Sequence, residues 1–146
     1  MIIGFTGTRI GMTPIQWQAV RDLVKDWAIN EAHHGLCEGA DEEMHWLLRG
    51  LSYGPRIDIH GHPPIRQGHI ASKRTWSDCN VINTPKEFNV RDKDIVLASS
   101  RMIATPFCPE ITASGTWTTV RFARKKNKPI WIVMPEGEII TESMNG

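Results

Sequence analysis

Short apolar runs alternate with segments of helical periodicity along the sequence, and this alternation constrains the fold more than any other feature. Parallel neighbouring strands must be joined by crossovers, and crossovers within one sheet are right-handed. Strands and helices that alternate at this spacing therefore specify a doubly wound parallel sheet. The sequence predicts an α/β, Rossmann-like fold with five parallel strands in the order 3-2-1-4-5.

Hydrophobic spacing and capping signals set the predicted boundaries. Strands are expected at residues 2–5, 35–39, 57–60, 102–104 and 130–133. Helices are expected at residues 14–32, 42–51, 84–99 and 114–127. With 146 residues, the chain is long enough for one core, so residues 1–135 are predicted to form a single domain. Residues 136–146 lack a strong period and are expected to be a partly disordered tail.

The first predicted strand runs through a glycine-containing loop directly into a helix. Residues 13–16 form a capping box with proline at the first helical position, which predicts that the helix starts there. The loop contains Thr6, Gly7, Thr8 and Arg9. Two hydroxyls and a guanidinium suit a phosphate or carboxylate, so these four residues are candidate ligand-binding residues.

A second loop has similar chemistry, because residues 105–116 end in Ser114, Gly115 and Thr116 at a predicted helix start. In the order 3-2-1-4-5, the loops after strands one and four part to form a crevice, the usual ligand site of such sheets. A helix N-terminus there offers free N–H groups to an anion. The sequence thus predicts a ligand site between residues 6–13 and 105–116.

The composition is that of an ordinary globular protein, with 40% apolar and 23% charged residues and a formal charge of +1. This balance gives no electrostatic case for a nucleic-acid partner. Cys37, Cys79 and Cys108 lack CxxC spacing, which predicts neither disulfides nor a cysteine zinc site and favours a reducing compartment. The sequence shows neither a charged-then-apolar leader nor an apolar run near membrane-spanning length, so we expect a cytoplasmic location and no membrane partner.

Histidines cluster at two places. His33 and His34 are expected in the last turn of the first helix, where they complement its dipole. The HGH motif at residues 60–62 ends a predicted edge strand, and the sequence does not indicate the third ligand that a metal would need. We therefore predict no metal site and no cofactor.

Residues 64–83 show no period and form a longer connection than is usual in compact domains. Long irregular loops are often functional, and two interpretations remain open. The segment is either a flap over the crevice or a contact between the subunits of a homo-oligomer.

Three stretches, GFTGTRIGMTPIQ, HHGLCEGADEEMH and SGTWTTVRFARKKNKPIWIV, converge on one family, with RDKDIVLASSRMIATP between the last two. Together they resemble the Rossmann-like nucleotide-binding superfamily that joins DNA-processing protein A to the LONELY GUY phosphoribohydrolases (SLOG), often called lysine-decarboxylase-like. The resemblance covers most of residues 1–134 and is greatest to small stand-alone bacterial and phage members. It implies a ligand built on a nucleotide or its ribose phosphate.

The sequence departs from that pattern at two positions. LONELY GUY enzymes carry PGGxGTxxE, whose glutamate serves glycosidic hydrolysis, whereas here the stretch is ITASGTWTT and Thr119 occupies the glutamate position. That mechanism therefore does not transfer. Small members often have an aspartate before the cysteine of the HHG stretch, where this chain has Leu36.

Three functions remain as hypotheses. The first is a nucleotide-binding module or sensor, with Glu38 or Asp41 available to ribose hydroxyls. The second is an N-glycosidase that uses Glu38 and Asp41 as its carboxylates, with Glu110 and Asp78 as substitutes; Asp41 has the competing role of helix N-cap. The third is single-stranded DNA binding by the basic end of the last helix. Its residues are Arg121, Arg124, Lys125, Lys126 and Lys128.

Overall fold

The computed structural model describes residues 1–51, 55–66 and 68–143, and within them it shows one sheet flanked by helices. The strands are β1 Ile2–Gly7, β2 Glu31–His34, β3 Asp58–Gly61, β4 Val81–Ile82, β5 Arg101–Thr105, β6 Ile130–Val133 and β7 Ile139–Glu142. The helices are α1 Pro14–Val24, α2 Ala40–Arg49, α3 Lys73–Asp78, α4 Phe88–Ala98 and α5 Gly115–Lys125.

The sheet is mostly parallel and its order is β4-β3-β2-β1-β5-β6-β7, with β7 alone antiparallel to its neighbour across the described residues. The α/β class is confirmed. Seven strands replace the predicted five, so the predicted count and order are wrong at the two edges.

Each extra strand has a local cause. β4 has two residues, too few for a period, and lies in the segment 64–83. β7 follows a tight turn at Gly137, whose φ of 94° suits glycine, and the N–H of Met134 donates to the Glu138 carbonyl at 2.8 Å. The expected tail therefore adds an edge strand, and residues 144–146 lie outside the described residues.

The segment around the first histidine pair was assigned wrongly from the sequence. Helix α1 ends at Val24, well before residue 32, and Glu31–His34 is a strand between β1 and β3. The predicted strand 35–39 is instead the loop after β2. Pairing on both sides of β2 overrides the helical spacing, so His33 and His34 are buried in a strand and do not cap a helix.

Capping predictions had mixed outcomes. The capping box of α1 is confirmed, and Ser114 is the N-cap of α5, accepting from the Trp117 N–H. Asp41 is not an N-cap, because α2 begins after Gly39, whose φ is 81°. The helix expected to start at residue 84 begins later, since α4 starts after Glu87 and has no side-chain cap bond.

Hydrophobic side chains pack on both faces of the sheet. One face is covered by α1 and α2, and the other by α4 and α5. Gly4 allows α4 to approach, because a Cβ there would lie 2.3 Å from Ser99 Oγ. Across the described residues, none of the helices combines the length and apolar character that crossing a membrane requires.

The segment 64–83 contains α3 and β4 and is attached to the loop after β2. The Ala71 N–H donates to the Leu36 carbonyl at 2.8 Å, and the Glu38 N–H donates to the His69 carbonyl at 2.9 Å. It is therefore more regular than predicted, and Gln67 lies outside the described residues. Its role as flap or subunit contact stays a prediction.

Candidate functional site

A crevice of about 410 Å³ opens at the carboxyl ends of the strands, between the loops after β1 and β5. These are the strands predicted as first and fourth, where the connections leave in opposite directions. The structure places all seven candidate ligand-binding residues along this crevice. They are Thr6, Gly7, Thr8, Arg9, Ser114, Gly115 and Thr116.

The loop after β1 is held rigidly against α2. Thr8 Oγ1 accepts from the Ile10 N–H at 3.2 Å, and the Thr8 carbonyl accepts from the Gly11 and Ala40 N–H groups at 3.1 and 3.0 Å. Gly7 lies so close to α2 that a Cβ would be 2.5 Å from Ala40 Cβ. Thr8 therefore mainly stabilises the loop, and the loop positions Arg9 at the crevice.

Arg9 is that neighbour, and its side chain is exposed at the crevice. Among the residues that the structure describes, it has neither a hydrogen bond nor an ion pair. An arginine whose donors are available at the mouth of a crevice can form a bidentate pair with a phosphate or carboxylate.

The opposite rim is the N-terminus of α5. Ser114 Oγ accepts from the Trp117 N–H at 3.2 Å. The Gly115 and Thr116 N–H groups belong to the first turn of the helix and therefore have no intrahelical acceptor. A Cβ built at Gly115 would have no described atom within 4 Å, so a side chain at this crevice-lining position would not clash with the fold.

The floor of the crevice contains a charged group that sequence reasoning missed. Arg91 of α4 is 7% exposed; its Nη1 donates to the Gly35 carbonyl at 2.6 Å and lies 3.3 Å from the His62 carbonyl. Its Nε lies 2.7 Å from Asp92 Oδ1. Asp41 completes the group, and its Oδ2 accepts from the Cys37 N–H at 3.2 Å.

Burial shifts the acid–base chemistry of this floor. Desolvation raises the pKa of Asp41 to about 7, although the Arg91 charge acts to lower it. Desolvation also raises the pKa of Asp92, against the same guanidinium. Asp41 can therefore accept or release a proton near neutral pH, as functional sites often require.

Gly35 makes this arrangement sterically possible. A Cβ at Gly35 would lie 2.4 Å from Arg91 Nη1 and 3.0 Å from Asp41 Oδ2. Gly35 of the HHG stretch and Arg91 of the RDKD stretch are therefore in direct contact. The two residues are 56 positions apart in the sequence, which explains why local patterns did not indicate the contact.

The other candidate carboxylates lie elsewhere. Glu38 is exposed, and its Oε1 is 2.6 Å from His69 Nδ1; within the described chain it does not line the crevice. Asp78 is bound by Arg49 and His45. Burial acts to raise the pKa of Asp78, but the hydrogen bonds from Arg49 and His45 prevail and lower it to about 2.

Glu110 pairs with two arginines at the basic end of α5. Glu110 is 3.0 Å from Arg124 and 3.1 Å from Arg121, and Glu142 is 2.9 Å from Arg124. Thr119, at the position of the LONELY GUY glutamate, is buried and donates to the Gly115 carbonyl at 3.0 Å. Thr119 also acts to lower the pKa of Asp92, so a carboxylate from α4 lies beside that position.

Comparison with known proteins identifies the fold. A scan of family models gives no match, and neither does a search of curated proteins. Among solved structures, the X-ray structure of TM1055, a Northeast Structural Genomics Consortium target, is similar with a TM-score of 0.59 at 16% identity. The similarity covers 88% of this chain and 71% of that one. It shows an α/β, Rossmann-like fold.

Proposed function

We propose that the crevice binds a nucleotide or another ligand built on a ribose phosphate, and that the protein is a binding module or sensor. One observation carries this proposal: the exposed Arg9 guanidinium and the open backbone at Gly115 face the same crevice. Charged donors and a helix N-terminus together favour a phosphate. The resemblance to the SLOG superfamily is part of the proposal and supports the same ligand class.

The floor of the crevice supports the nucleoside half of the ligand. Asp41 and Asp92 provide carboxylate oxygens, which accept hydrogen bonds from ribose hydroxyls. Phe88 and Phe107 also line the crevice and add apolar surface suited to a base. We therefore assign the phosphate to the rims and the sugar to the floor.

Calorimetry with a matched ligand series tests this assignment. A nucleoside monophosphate and ribose 5-phosphate are expected to bind, and the unphosphorylated nucleoside is expected to bind at least about 10-fold more weakly, because it lacks the charge-assisted bonds. Equal affinity for nucleoside and monophosphate would contradict the phosphate assignment. Failure of all three ligands would contradict the proposal itself.

A nucleotide N-glycosidase is the second candidate, and the raised pKa of Asp41 favours it. A carboxylate that exchanges protons near neutral pH can act as a general acid or base on a glycosidic bond. For an enzyme, Asp41→Asn should lower turnover at least about 100-fold with little change in binding. Glu38→Gln is the matched control, since Glu38 lies outside the crevice.

Chromatography of nucleoside monophosphates after long incubation separates the two candidates. Release of free base that disappears in Asp41→Asn would establish the enzyme, and no release would favour the sensor. Single-stranded DNA binding is less well supported, because Arg121 and Arg124 are paired with Glu110 and Glu142.

A further inference from the structure

Histidines and carboxylates converge on strands β2 and β3, outside the crevice. Glu31 and Asp58 are register partners, and so are His33 and His60. Alternate residues of a strand project to the same face, so these four side chains lie together. His62, two residues beyond His60, is also close, with its Nε2 at 2.7 Å from His33 Nδ1. The proposed crevice function uses none of the five.

The distances within this group suit a metal ion. His33 Nε2 lies 2.6 Å from Glu31 Oε2, and His60 Nε2 lies 3.7 Å from Glu31 Oε1. His60 Nε2 is also 3.0 Å from Asp58 Oδ2. Ligand atoms around a tetrahedral ion are about 3.3–3.6 Å apart when each bond is about 2.0–2.2 Å. Small side-chain adjustments would therefore bring these atoms around one ion.

The contacts on the far side of His33 also fit a metal ligand. His33 Nδ1 lies 2.7 Å from His62 Nε2, and the Asn83 amide nitrogen donates to the Gly61 carbonyl at 3.2 Å and lies 3.4 Å from the same His62 nitrogen. An ion bound at His33 Nε2 would place the ring hydrogen on Nδ1, where it would donate to His62 Nε2. A hydrogen holds the 2.6 Å contact between His33 Nε2 and Glu31 Oε2, and the ion would replace that hydrogen.

We propose that Glu31, His33 and His60 bind a divalent transition-metal ion of the Zn²⁺ class, with Asp58 supplying a further carboxylate oxygen. Two imidazoles and a carboxylate are typical ligands of such ions. The bond from His33 Nδ1 to His62 is the outer contact that commonly orients a ligating histidine. The sequence indicated no third ligand because residues 31–33 were assigned to a helix.

A second group, His34, His45 and Cys79, serves as the internal comparison. The Leu36 N–H donates to His34 Nδ1 at 3.1 Å, so His34 Nε2 carries its hydrogen and donates to His45 Nδ1 at 2.9 Å. His45 Nε2 in turn donates to Asp78 Oδ2 at 2.8 Å. Each ring nitrogen is matched to a partner of the opposite kind and both histidines are buried, so hydrogen bonds alone account for this group.

Titration of the full chain, without an affinity tag, with Co²⁺ and Zn²⁺ tests the proposal. We expect one ion per chain and visible absorption bands of Co²⁺ with nitrogen and oxygen ligands. His60→Gln and Glu31→Gln should each weaken binding at least about 100-fold, because loss of a ligand costs more than loss of an outer contact. Both residues are partly exposed, and circular dichroism checks that the variants fold.

Cys79→Ser and His69→Gln are the matched controls and should leave Co²⁺ binding unchanged. Arg9→Ala should also retain it, which separates this site from the proposed crevice function. Three results would overturn the proposal: neither ion binds to the wild-type chain, binding survives in His60→Gln, or a thiolate charge-transfer band appears and is lost in Cys79→Ser. The first result would mean that hydrogen bonds alone hold this group together.

Discussion

Two arginine–carboxylate groups in this protein have opposite compositions. In the crevice, one guanidinium, Arg91, lies beside two carboxylates, Asp41 and Asp92. Beside α3, two guanidinium groups, Arg49 and Arg56, lie at 2.6 and 2.8 Å from one carboxylate, Asp78. The first group has an excess of negative charge in a desolvated place, and the second has an excess of positive charge nearer to solvent.

The two groups differ in the pKa values of their carboxylates. The pKa of Asp41 rises to about 7 and that of Asp78 falls to about 2. Asp78, which has two arginine partners, is held in its ionised form and stabilises the fold. A buried carboxylate that shares a single cation can change its protonation near neutral pH, which is useful where a ligand binds. The crevice group is therefore the functional candidate of the two.

The largest expected effect is on folding stability when each group loses an arginine. Arg91→Met should lower the free energy of unfolding by about 3–5 kcal/mol, because it leaves buried carboxylates without their cation. Arg56→Met should cost less than about 1 kcal/mol, since Arg56 is exposed and its ion pair is solvated. Urea unfolding of both variants measures the difference, and equal losses would contradict the comparison.

Ligand binding should depend on the crevice alone. Arg9→Ala should weaken binding of a nucleoside monophosphate by about 1.5–3 kcal/mol, the range for a charge-assisted hydrogen bond. Arg56→Ala is the matched control, being an exposed arginine outside the crevice, and should leave the affinity unchanged. Calorimetry on both variants decides; an unchanged affinity in a folded Arg9→Ala protein would remove Arg9 from the site.

The two groups should also differ in the pH dependence of stability. Asp41 has a pKa of about 7 in the folded chain against an ordinary 3.8, so the folded state binds more protons and this contribution to stability falls as pH rises between those values. Asp78, with a pKa of about 2, contributes stability that is complete above its ordinary 3.8 and is lost as pH falls toward 2.

Urea unfolding across pH tests this difference. Asp41→Asn should remove the fall in stability between about pH 4 and pH 7, and Asp78→Asn should remove the loss between about pH 4 and pH 2. The two variants therefore differ from the wild-type protein in separate pH ranges. Variants that change the same range would show that the two carboxylates do not have opposite shifts.

The crevice rims could be predicted from the sequence and its floor could not, for a physical reason. Thr6 to Arg9 lie at the end of β1 and Ser114 to Thr116 at the start of α5, so their place at the carboxyl edge of the sheet follows from local signals. Arg91 and Asp92 lie within α4, and their burial depends on contacts with Gly35 and Asp41 of distant segments. Helical spacing does not encode such contacts.

The same distinction applies to the strands. β1, β5 and β6 are rich in aliphatic residues and were recognised as strands. β2 has the sequence EAHH, and its two buried histidines form hydrogen bonds with His62 and His45. Hydrophobic periodicity therefore assigned it to the preceding helix. The edge strand β7 depends on the Gly137 turn and on pairing with β6, which its own composition does not indicate.

The central claim is that the crevice binds a ligand derived from a nucleotide, and Gly115→Val tests it most directly. The new side chain would occupy open space at the N-terminus of α5 and would block the approach of a phosphate to backbone N–H groups. Mass spectrometry of small molecules released from the purified wild-type protein should detect a nucleotide-derived compound. The Gly115→Val protein, with unchanged circular dichroism, should release none. Release of the same compound from both proteins, or of none from the wild type, would contradict the claim.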